Sequence, residues 1–463
     1  MEMNIARMDR YDFVVCGGGP AGFACAVAAA RKGLKTALVE RQGCLGGTAT
    51  SGGVSHLLAG RKLNPATSEH VRVVGGLFDE LTDALIAKGE AVEPNAIDLT
   101  FNPFGWYPRM ASGIAVDETA LKTAMDAFCA DAGVRVYFFT SVIALRRDGG
   151  RIASVVAANK DGLVEIEAGY FADCTGDADL AAMAGVPFLK GRESDGLTAP
   201  CSLEMHLDHV DGDAFVRYQN EHRSPKLVEI IEELKQKGVW KFHYEIFVAV
   251  RLAEKDVFMV NTIRQVRVDG TDERSVSTAL AAGRKENIEL YHIIRQYFPG
   301  FAESRIRRIA DYLGVRETRR IQGAETVTLS NALAGKKYRD CVAATTYNFD
   351  LPDPLYPSSD PMMGDAKNPN AARRHTIIQI PYGALIPKGS ENLITAGRCI
   401  SAERETLGPI RITGPCMMTG QAAGTAAALA FANGSTFIEA DTDVLRRTLW
   451  SDGVVDPDTL PFD

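Results

Sequence analysis

The chain has 463 residues, enough for about two or three structural lobes, and its 46% hydrophobic and 24% charged residues are ordinary for a soluble globular protein. A formal net charge of −8 at pH 7 leaves no excess of Lys and Arg to cover nucleic-acid phosphates. The sequence opens without a signal-peptide core, contains no apolar run long enough to span a membrane, and has nine cysteines with no C-x-x-C pair. We therefore expect a cytoplasmic protein with reduced thiols, no metal site, and no nucleic-acid or membrane partner.

The first predicted elements are a strand, a glycine turn and a helix. Residues 11–40 read YDFVVCGGGPAGFACAVAAARKGLKTALVE, in which Gly17, Gly19 and Gly22 form G-x-G-x-x-G directly after the apolar strand. The first glycine permits the tight turn, the second lets the backbone approach a pyrophosphate, and the third allows the helix to pack closely. Glu40 ends the second strand, where an acid accepts hydrogen bonds from an adenosine ribose. This arrangement predicts a dinucleotide-binding βαβ unit.

The segment after this unit favours FAD over NAD. Residues 43–56 read GCLGGTATSGGVSH, and such a run of small residues suits a backbone that folds closely along an extended ligand. A NAD-binding unit would normally continue into another helix and strand. Two further apolar strands end in glycine turns, ADCTGDADLAAMAG at 172–185 and NLITAGRCIS at 392–401. We expect both turns to lie beside the same cofactor.

The middle of the chain has a different pattern. Short β-rich runs separated by D-G-G and K-D-G over 134–169 predict an antiparallel ribbon. Beyond residue 190 no second G-x-G-x-x-G opens a strand-turn-helix, and the predicted elements are of mixed type. They are a strand at 201–207, a charged helix near 227–237, helical stretches at 275–297 and 301–312, and a long loop over 356–374.

Together these blocks resemble the FAD-dependent oxidoreductases of the glutathione-reductase-like superfamily, and within it the broad bacterial family that carries that label. The blocks occur in family order and span nearly the whole chain: VVCGGGPAGFACAVAAARKGLKTALVER, LGGTATSGGV, DCTGDADLAAMAG, LGVRETRRIQGAE, PYGALIPKGSENLITAGRCISAERETLG and RITGPCMMTGQAAGTAAALA. The loop GGTATSGGV is also similar to the flavin loop of succinate dehydrogenase and fumarate reductase flavoproteins. Some of those carry a histidine that bonds covalently to FAD, and because residues 48–51 contain none, we expect noncovalent FAD.

The resemblance implies the fold class and the domain organisation. The expected fold is α/β, with a Rossmann-like, glutathione-reductase-like FAD-binding domain and an inserted mixed α+β domain that binds substrate or caps the flavin. The FAD-binding domain is expected to be discontinuous, over 1–190 and 378–435. The inserted domain is expected to cover 191–377, and a C-terminal tail 436–463.

The resemblance also implies cofactor contacts residue by residue. The pyrophosphate is expected at Gly17, Gly19 and Gly22, and the adenosine end at Glu40 and Arg41. Further contacts are expected from the glycine-rich loop, the second and third blocks and the closing helix: Gly46, Gly47, Thr48, Asp177, Gly397, Arg398, Gly420 and Gln421.

The closing helix is expected to begin at Gly414 and Pro415, because proline suits the first helical turn. Its N-terminus, aimed at the flavin, would stabilise the negative charge of the reduced ring. Cys416 lies in this helix, and we interpret it as a small packing residue because no other cysteine is adjacent in sequence to form a redox pair.

Polar residues in the second half of the chain are the catalytic candidates. Within 314–321 (GVRETRRI), Arg316 and Arg320 would share one face if the stretch were helical, and an arginine pair can bind a substrate carboxylate. A salt-bridge network between domains explains the same residues equally well. Further candidates are Arg404, Arg411 and His375.

The resulting hypothesis is an oxidoreductase that moves a hydride between a small organic substrate and flavin N5, with the direction left open. Two alternatives remain. One is an electron-transfer subunit of a larger redox complex, and the other, which the acidic net charge disfavours, is a tRNA-modifying flavoprotein. The sequence does not identify the electron acceptor or donor, and it leaves homo-oligomerisation open.

Overall fold

The structure is a computed structural model that describes residues 5–97, 112–224, 226–358 and 377–462. Within these residues the strands, in chain order, are β1 (Ile5–Cys16), β2 (Thr36–Val39), β3 (His56–Leu57), β4 (Arg61–Asn64), β5 (Glu69–Arg72), β6 (Ile114–Ala115), β7 (Arg135–Tyr137), β8 (Ser141–Asp148), β9 (Arg151–Asn159), β10 (Gly162–Asp173), β11 (Phe188–Lys190), β12 (Cys201–Ser202), β13 (Met205–Asp208), β14 (Ala249–Arg251), β15 (Phe258–Val260), β16 (Arg264–Gln265), β17 (Arg305–Ile309), β18 (Arg319–Ile321), β19 (Cys341–Thr345), β20 (Ile378–Pro381) and β21 (Leu393–Thr395).

The α-helices of the same residues are α1 (Pro20–Arg31), α2 (Gly76–Ala87), α3 (Glu118–Asp131), α4 (Asp179–Met183), α5 (Gly212–Glu221), α6 (Val228–Gln236), α7 (Glu273–Tyr297), α8 (Leu329–Leu333), α9 (Leu407–Ile410), α10 (Thr413–Asn433) and α11 (Thr442–Ser451). None of these described helices is both long enough and apolar enough to cross a lipid bilayer.

The main sheet has the strand order β7-β2-β1-β10-β9-β8, and β21 pairs with the end of β10. The strands β7, β2, β1, β10 and β21 run parallel, whereas β9 and β8 extend β10 into an antiparallel ribbon. Parallel strands covered on both faces need continuous apolar runs, which FVVC of β1 and TALV of β2 provide. The predicted ribbon over 134–169 is therefore confirmed for β8 to β10, while β7 joins the parallel part.

The predicted strand, turn and helix at the start of the fold are confirmed. β1 ends at Cys16, and α1 begins at Pro20 with Gly19 as its N-cap residue. Proline suits this position because the N–H that it lacks would have no partner within the helix. The carboxyl end of β1 and the N-terminus of α1 therefore meet at the edge of the sheet where α/β proteins bind their ligands.

The small-residue helix α10 packs directly on α1. A Cβ added at Gly420 would lie 2.1 Å from Ala21 O, and one added at Gly424 would lie 2.1 Å from Cys25 O. Only glycine lets two helix backbones approach this closely. A composition that is poor at filling a core therefore suits a close contact between two helices.

A second, antiparallel sheet has the strand order β14-β15-β13-β17 and its own hydrophobic core. The helices α5, α6 and α7 all contribute side chains to this core. Phe215 makes edge-to-face contacts with three other buried rings, those of Phe247, Phe258 and Phe301. Such aromatic pairs add to the stabilisation that burial of the rings provides.

The predictions for the middle of the chain have mixed outcomes. The helices near 227–237 and 275–297 are confirmed as α6 and α7, and the strand at 201–207 is present as the two short strands β12 and β13. The predicted helix over 301–312 is wrong, because Arg305–Ile309 forms β17 and pairs with β13. Pairing with a distant strand decides the conformation of so short a charged segment, whatever its own preference.

The core around α1 and α10 also receives side chains from the segment assigned to the inserted domain. Val327, Val342 and Phe349 belong to this larger core rather than to the core of the second sheet. The boundary at residue 377 therefore stays a prediction.

Candidate functional site

One cavity of about 1180 Å³ is lined both by the glycine turn after β1 and by residues of the second sheet. Pockets that hold a single small ligand usually measure about 300–1,000 Å³. The volume exceeds this range, as an extended cofactor requires.

Each of the three positions in the turn is a glycine for a different steric reason. At Gly17, where φ is 96°, an added Cβ would lie 2.6 Å from Cys174 O, and at Gly22 it would lie 1.7 Å from Gly17 O. No described atom lies within 4 Å of a Cβ placed at Gly19, and the backbone there lines the cavity. Gly17 and Gly22 thus allow the turn itself, whereas Gly19 leaves room for a ligand.

Glu40 and Arg41 follow β2 and line the same cavity. Gly18 N donates to Glu40 Oε2 at 2.6 Å, and Gln42 N donates to Glu40 Oε1 at 2.8 Å. These bonds hold the carboxylate at the end of the strand, where an adenosine ribose is expected. Arg41 donates to the hydroxyl of Tyr312, and its guanidinium lies over that ring at 5.2 Å from the centroid.

The glycine-rich loop forms a second wall beside the turn. Gly46 N donates to Gly18 O at 2.8 Å, and Gly46 and Gly47 have positive φ angles of 95° and 50°. A Cβ added at Gly47 would lie 3.2 Å from Gly19 Cα. Gly47 and Thr48 line the cavity, whereas Gly46 only supports the loop from outside the lining.

The second and third predicted blocks meet through an ion pair. Arg398 Nη2 donates to Asp177 Oδ1 at 2.8 Å, and Arg398 Nη1 donates to Val315 O at 2.8 Å. Thr318 Oγ1 donates to the same Asp177 oxygen at 2.8 Å. Gly397 and Arg398 line the cavity, but Asp177 is buried outside the lining and acts as the partner of Arg398.

The first turn of α10 reaches the cavity through Thr413 and Cys416, and no side chain caps the start of this helix. Burial raises the pKa of the Cys416 thiol to about 12. Gly420 packs on α1, and Gln421 Oε1 accepts a hydrogen bond from Leu77 N at 2.9 Å. Neither Gly420 nor Gln421 lines the cavity, so the structure places both in helix packing instead of beside the expected ligand.

Of the five catalytic candidates, the described structure places Arg316 and Arg411 in the lining of the cavity. The stretch 314–321 is not helical, since β18 occupies its end, and Arg316 and Arg320 therefore share no helical face. Arg316 lines the cavity, and its Nη1 donates to Pro200 O at 2.7 Å. His375 lies outside the described residues.

Arg320 and the partly buried Arg404 lie in an ion cluster around the buried Glu317, outside the cavity lining. Arg320 Nη1 donates to Glu317 Oε1 at 2.8 Å, and Arg404 Nε donates to Glu317 Oε2 at 3.0 Å. Ala199 N donates to the same Oε2 at 2.8 Å. These contacts are the salt-bridge network that the sequence left as the alternative to a substrate site, and buried pairs of this kind are expensive to break.

The sequence analysis did not single out several polar residues that line the cavity, among them Glu204, Tyr244, Asn261 and Arg264. Glu204 directly precedes β13, and Arg264 begins β16, so two short strands that are far apart in sequence carry them. One signal could have found Glu204, namely a charged residue between two apolar residues in C-S-L-E-M-H-L, whereas the mostly polar stretch N-T-I-R-Q-V gives no such signal for Arg264.

Burial and neighbouring charges shift the ionisation of this polar group. Burial raises the pKa of Glu204 to about 7, although the charges of Arg264 and Arg316 oppose the rise. Burial lowers the pKa of Arg264 to about 10, and the charge of Arg316 adds to the lowering. Burial is also the main reason that the pKa of Arg411 is lowered. Shifts of this kind concentrate at functional sites.

The residues present fit the FAD that the resemblance implies. The cavity offers the open backbone at Gly19, the uncapped N-terminus of α1 and the fixed carboxylate of Glu40. A pyrophosphate binds well at a helix N-terminus, because free N–H groups point outward and the helix dipole favours negative charge. Gly47, Thr48 and the first turn of α10 line the same cavity.

A protein-family model described as FAD dependent oxidoreductase matches residues 12–449. The match includes the glycine turn, the glycine-rich loop, the second sheet and α10.

Two known proteins and one solved structure are also similar to this chain, over a shorter length than this match or at low sequence identity. The chain is 28% identical over 216 residues to the digeranylgeranylglycerophospholipid reductase of Picrophilus torridus, a match over 46% of this chain and 49% of the reductase. It is 63% identical over 38 residues, 8% of each chain, to a dihydrolipoyl dehydrogenase of Trypanosoma brucei brucei. The match thus spans at most about half the length of these two relatives. A geranylgeranyl bacteriochlorophyll reductase-like protein from Thermoplasma acidophilum superposes with a TM-score of 0.44 and 12% identity, over 96% of this chain and 83% of that chain.

Proposed function

We propose that this chain, which belongs to the FAD-dependent oxidoreductase family, moves a hydride between a small organic substrate and N5 of a noncovalently bound FAD. Its enzyme class and its cofactor follow from that membership. When bound, FAD supplies the hydride chemistry, and the protein supplies binding, orientation and electrostatics. The family label specifies neither a substrate nor a direction.

The observation that carries the proposal is the extent of the cavity. A single space is lined at one place by the nucleotide-binding turn and at another by polar side chains of the second sheet and its neighbouring segments, Arg264 and Arg316 among them. An electron-transfer subunit without its own substrate has no need of such a chamber. Enclosed pockets with a few converging polar groups are the usual sites of small-molecule binding.

The chain's own residues would hold FAD along the wall formed by β1, α1 and the glycine-rich loop. Gly17 and Gly22 maintain the turn, and Gly19 leaves space for the pyrophosphate next to the α1 N-terminus. Glu40, held by two backbone N–H groups, is placed to accept hydrogen bonds from the ribose. Arg398, fixed by Asp177, adds a positive charge to the cavity wall.

Anaerobic reduction of the purified yellow protein tests the proposal. A panel of small hydroxy acids, amino acids, alcohols and saturated acids is mixed with the oxidised protein, and flavin bleaching is followed by absorbance. The photoreduced protein is mixed with ketones and with compounds that contain C=C bonds, because the Picrophilus torridus relative is named a reductase. We expect at least one small molecule to change the flavin redox state.

A different set of results would overturn the proposal. If no small molecule reduces or reoxidises the flavin while a quinone or an iron-sulfur protein does, the chain is an electron-transfer subunit. RNA that copurifies with the protein and is required for flavin turnover would instead support the RNA-modifying alternative.

A further inference from the structure

The polar end of the cavity suggests which chemical class of substrate the proposed hydride transfer uses, and the inference rests on that proposed function. We propose that three arginines bind the carboxylate of a small hydroxycarboxylate and that Glu204 Oε2 exchanges the proton of its hydroxyl group. The three arginines are Arg264, Arg316 and Arg411.

The three guanidinium groups line one cavity, and none of them forms an ion pair with a carboxylate among the described residues. In the described part of the chain, Arg316 Nη1 donates to Pro200 O at 2.7 Å and Arg411 Nη2 donates to Asp350 O at 2.9 Å. Arg264 Nη1 donates to Asn261 Oδ1 and to Ile263 O. These partners are all neutral oxygens, and no described carboxylate oxygen lies within 4.0 Å of any of the three guanidinium groups.

Two of these arginines also have unused hydrogen-bond donors. Arg264 Nε and Arg411 Nε are buried, and neither has a hydrogen-bond partner among the described residues. Arg264 is 5% exposed, so it cannot satisfy this group by turning to bulk water. The Arg264 guanidinium lies over the Tyr244 ring at 4.3 Å from the centroid, and an anion in the cavity would supply the directly bonded carboxylate that Arg264 and Arg411 lack within the described ranges.

The charges around the chamber favour an anion over a cation. The charge of Arg316 lowers the pKa values of Arg264 and of Arg411, so Arg316 lies close enough to repel each of the other two. Asp350 also lines the cavity, and its opposite charge raises the pKa of Arg411 more than the charge of Arg316 lowers it. An ammonium group would add to the positive charge, which disfavours amino acids relative to hydroxy acids. Carboxylates match the planar guanidinium group with two parallel hydrogen bonds.

Glu204 is the proton-exchanging group that faces the same chamber. Ser202 Oγ donates to Glu204 Oε1 at 2.9 Å, whereas Oε2 is buried and has no described hydrogen-bond partner. The charged groups that act on this carboxyl are Arg264 on β16 and Arg316, and His206 follows it on β13 with Nε2 bonded to Gly53 O. With its pKa raised to about 7, the group can hold or release a proton near neutral pH.

The proposed step balances atoms and electrons. In the oxidative direction the C–H bond of the carbinol carbon breaks, and its hydrogen leaves with both electrons as the hydride that FAD takes up. The O–H bond breaks, its proton goes to Glu204 Oε2, and the electron pair of that bond forms the C=O bond of a ketocarboxylate. The carboxylate held by the arginines is unchanged, and the reductive direction reverses each change.

Ligand binding tests the arginines without any turnover. Malonate, malonamide and inorganic phosphate are titrated into the oxidised holoprotein, and the perturbation of the flavin absorption spectrum gives each Kd. We expect malonate to bind and neutral malonamide to bind at least about tenfold more weakly, since charge-assisted hydrogen bonds are lost. Arg264→Gln should raise the malonate Kd by about tenfold or more. Arg284→Gln, which removes the same charge from an exposed position on α7, should leave it unchanged.

Three outcomes of this titration would overturn the carboxylate assignment. They are equal binding of malonate and malonamide, an unchanged malonate Kd in Arg264→Gln, and binding of phosphate in place of malonate. The last result would identify the chamber as a phosphate site.

The pH dependence of anaerobic flavin reduction by lactate and malate tests Glu204. Because the carboxylate form accepts the proton, the rate should rise with pH through about 7. Glu204→Gln should lose this rise and slow reduction about 100-fold or more, while it keeps FAD and malonate binding. In the wild type, infrared difference spectra should show a carboxyl band that titrates over the same pH range and is absent from Glu204→Gln.

Ser202→Ala provides a second variant that leaves the carboxyl in place. The hydrogen bond from Ser202 lowers the pKa of Glu204, so its removal should move the rise in rate to higher pH. Unchanged pH profiles in both variants would overturn the role of Glu204 even if hydride transfer stands. Failure of every small molecule to reduce the wild-type flavin would instead overturn the proposed function itself.

Discussion

Gly19→Ala separates the binding of FAD from the folding of the glycine turn. Gly19 has φ of −66° and ψ of −174°, a conformation that alanine also adopts, and no described atom lies within 4 Å of the new methyl group. The substitution also replaces glycine by a poorer N-cap residue at the start of α1. We therefore expect the apoprotein to lose only about 1 kcal/mol or less of unfolding free energy.

The effect on FAD affinity should be much larger than the effect on stability. The methyl group would occupy the open space where the pyrophosphate is expected and would move a phosphate away from the first N–H groups of α1. A hydrogen bond between a backbone N–H and a charged oxygen contributes about 1.5–3 kcal/mol. Loss of one such bond raises the Kd of FAD by about 10–150-fold.

Fluorescence titration of the stripped apoprotein with FAD measures this Kd, and urea denaturation of the same sample measures stability. Gly420→Ala is the matched control, because its Cβ would lie 2.1 Å from Ala21 O and should destabilise the apoprotein by forcing α10 away from α1. An unchanged FAD Kd in Gly19→Ala would refute the placement of the pyrophosphate at this turn. A large loss of apoprotein stability in that variant would refute the steric argument.

Three further predictions concern the cysteine in α10, the buried ion cluster and the bond to FAD. Cys416→Ala should leave turnover within about a few-fold of wild type, because a thiol with a pKa of about 12 carries no thiolate at neutral pH; complete loss of activity with FAD still bound would contradict this. Glu317→Gln should lower the urea midpoint by the equivalent of about 3–5 kcal/mol, since it leaves the buried Arg320 and the partly buried Arg404 without their carboxylate. Adding Arg404→Gln should recover part of that loss, and strictly additive effects would show that the pair does not interact. Acid denaturation followed by filtration should place all the yellow colour in the filtrate, whereas colour retained with the protein would reveal a covalent flavin bond.

The sequence was informative wherever a residue's role depends on its neighbours in the chain. Gly17 and Gly22 could be assigned to the turn because the steric demand arises within a few residues and the adjoining apolar strand ends directly before them. The start of α10 could be predicted for the same reason, since proline restricts the backbone locally. The partner of Gly420 could not be predicted from the sequence, because the backbone that Gly420 contacts belongs to a helix about 400 residues earlier.

Pairing between distant segments decided what the sequence could not predict. The segment Arg305–Ile309 reads equally well as helix or strand, and only β13 makes it a strand. Glu204 and Arg264 meet at the cavity because separate short strands bring them there. Arg316 and Arg320 are four residues apart, yet one lines the cavity and the other pairs with a buried glutamate. Spacing alone cannot distinguish these two environments.

The contact between α1 and α10 gives the small-residue helix a role in the site even where it touches no ligand. α1 presents its N-terminus to the cavity near Gly19, and α10 presents Thr413 and Cys416 to the same cavity. Gly420 and Gly424 fix the distance between the two helices, because any side chain there would collide with the α1 backbone. A larger residue at either position would therefore shift one wall of the cavity relative to the other. Gly420 thus sets the position of α1 relative to α10, although it does not line the cavity itself.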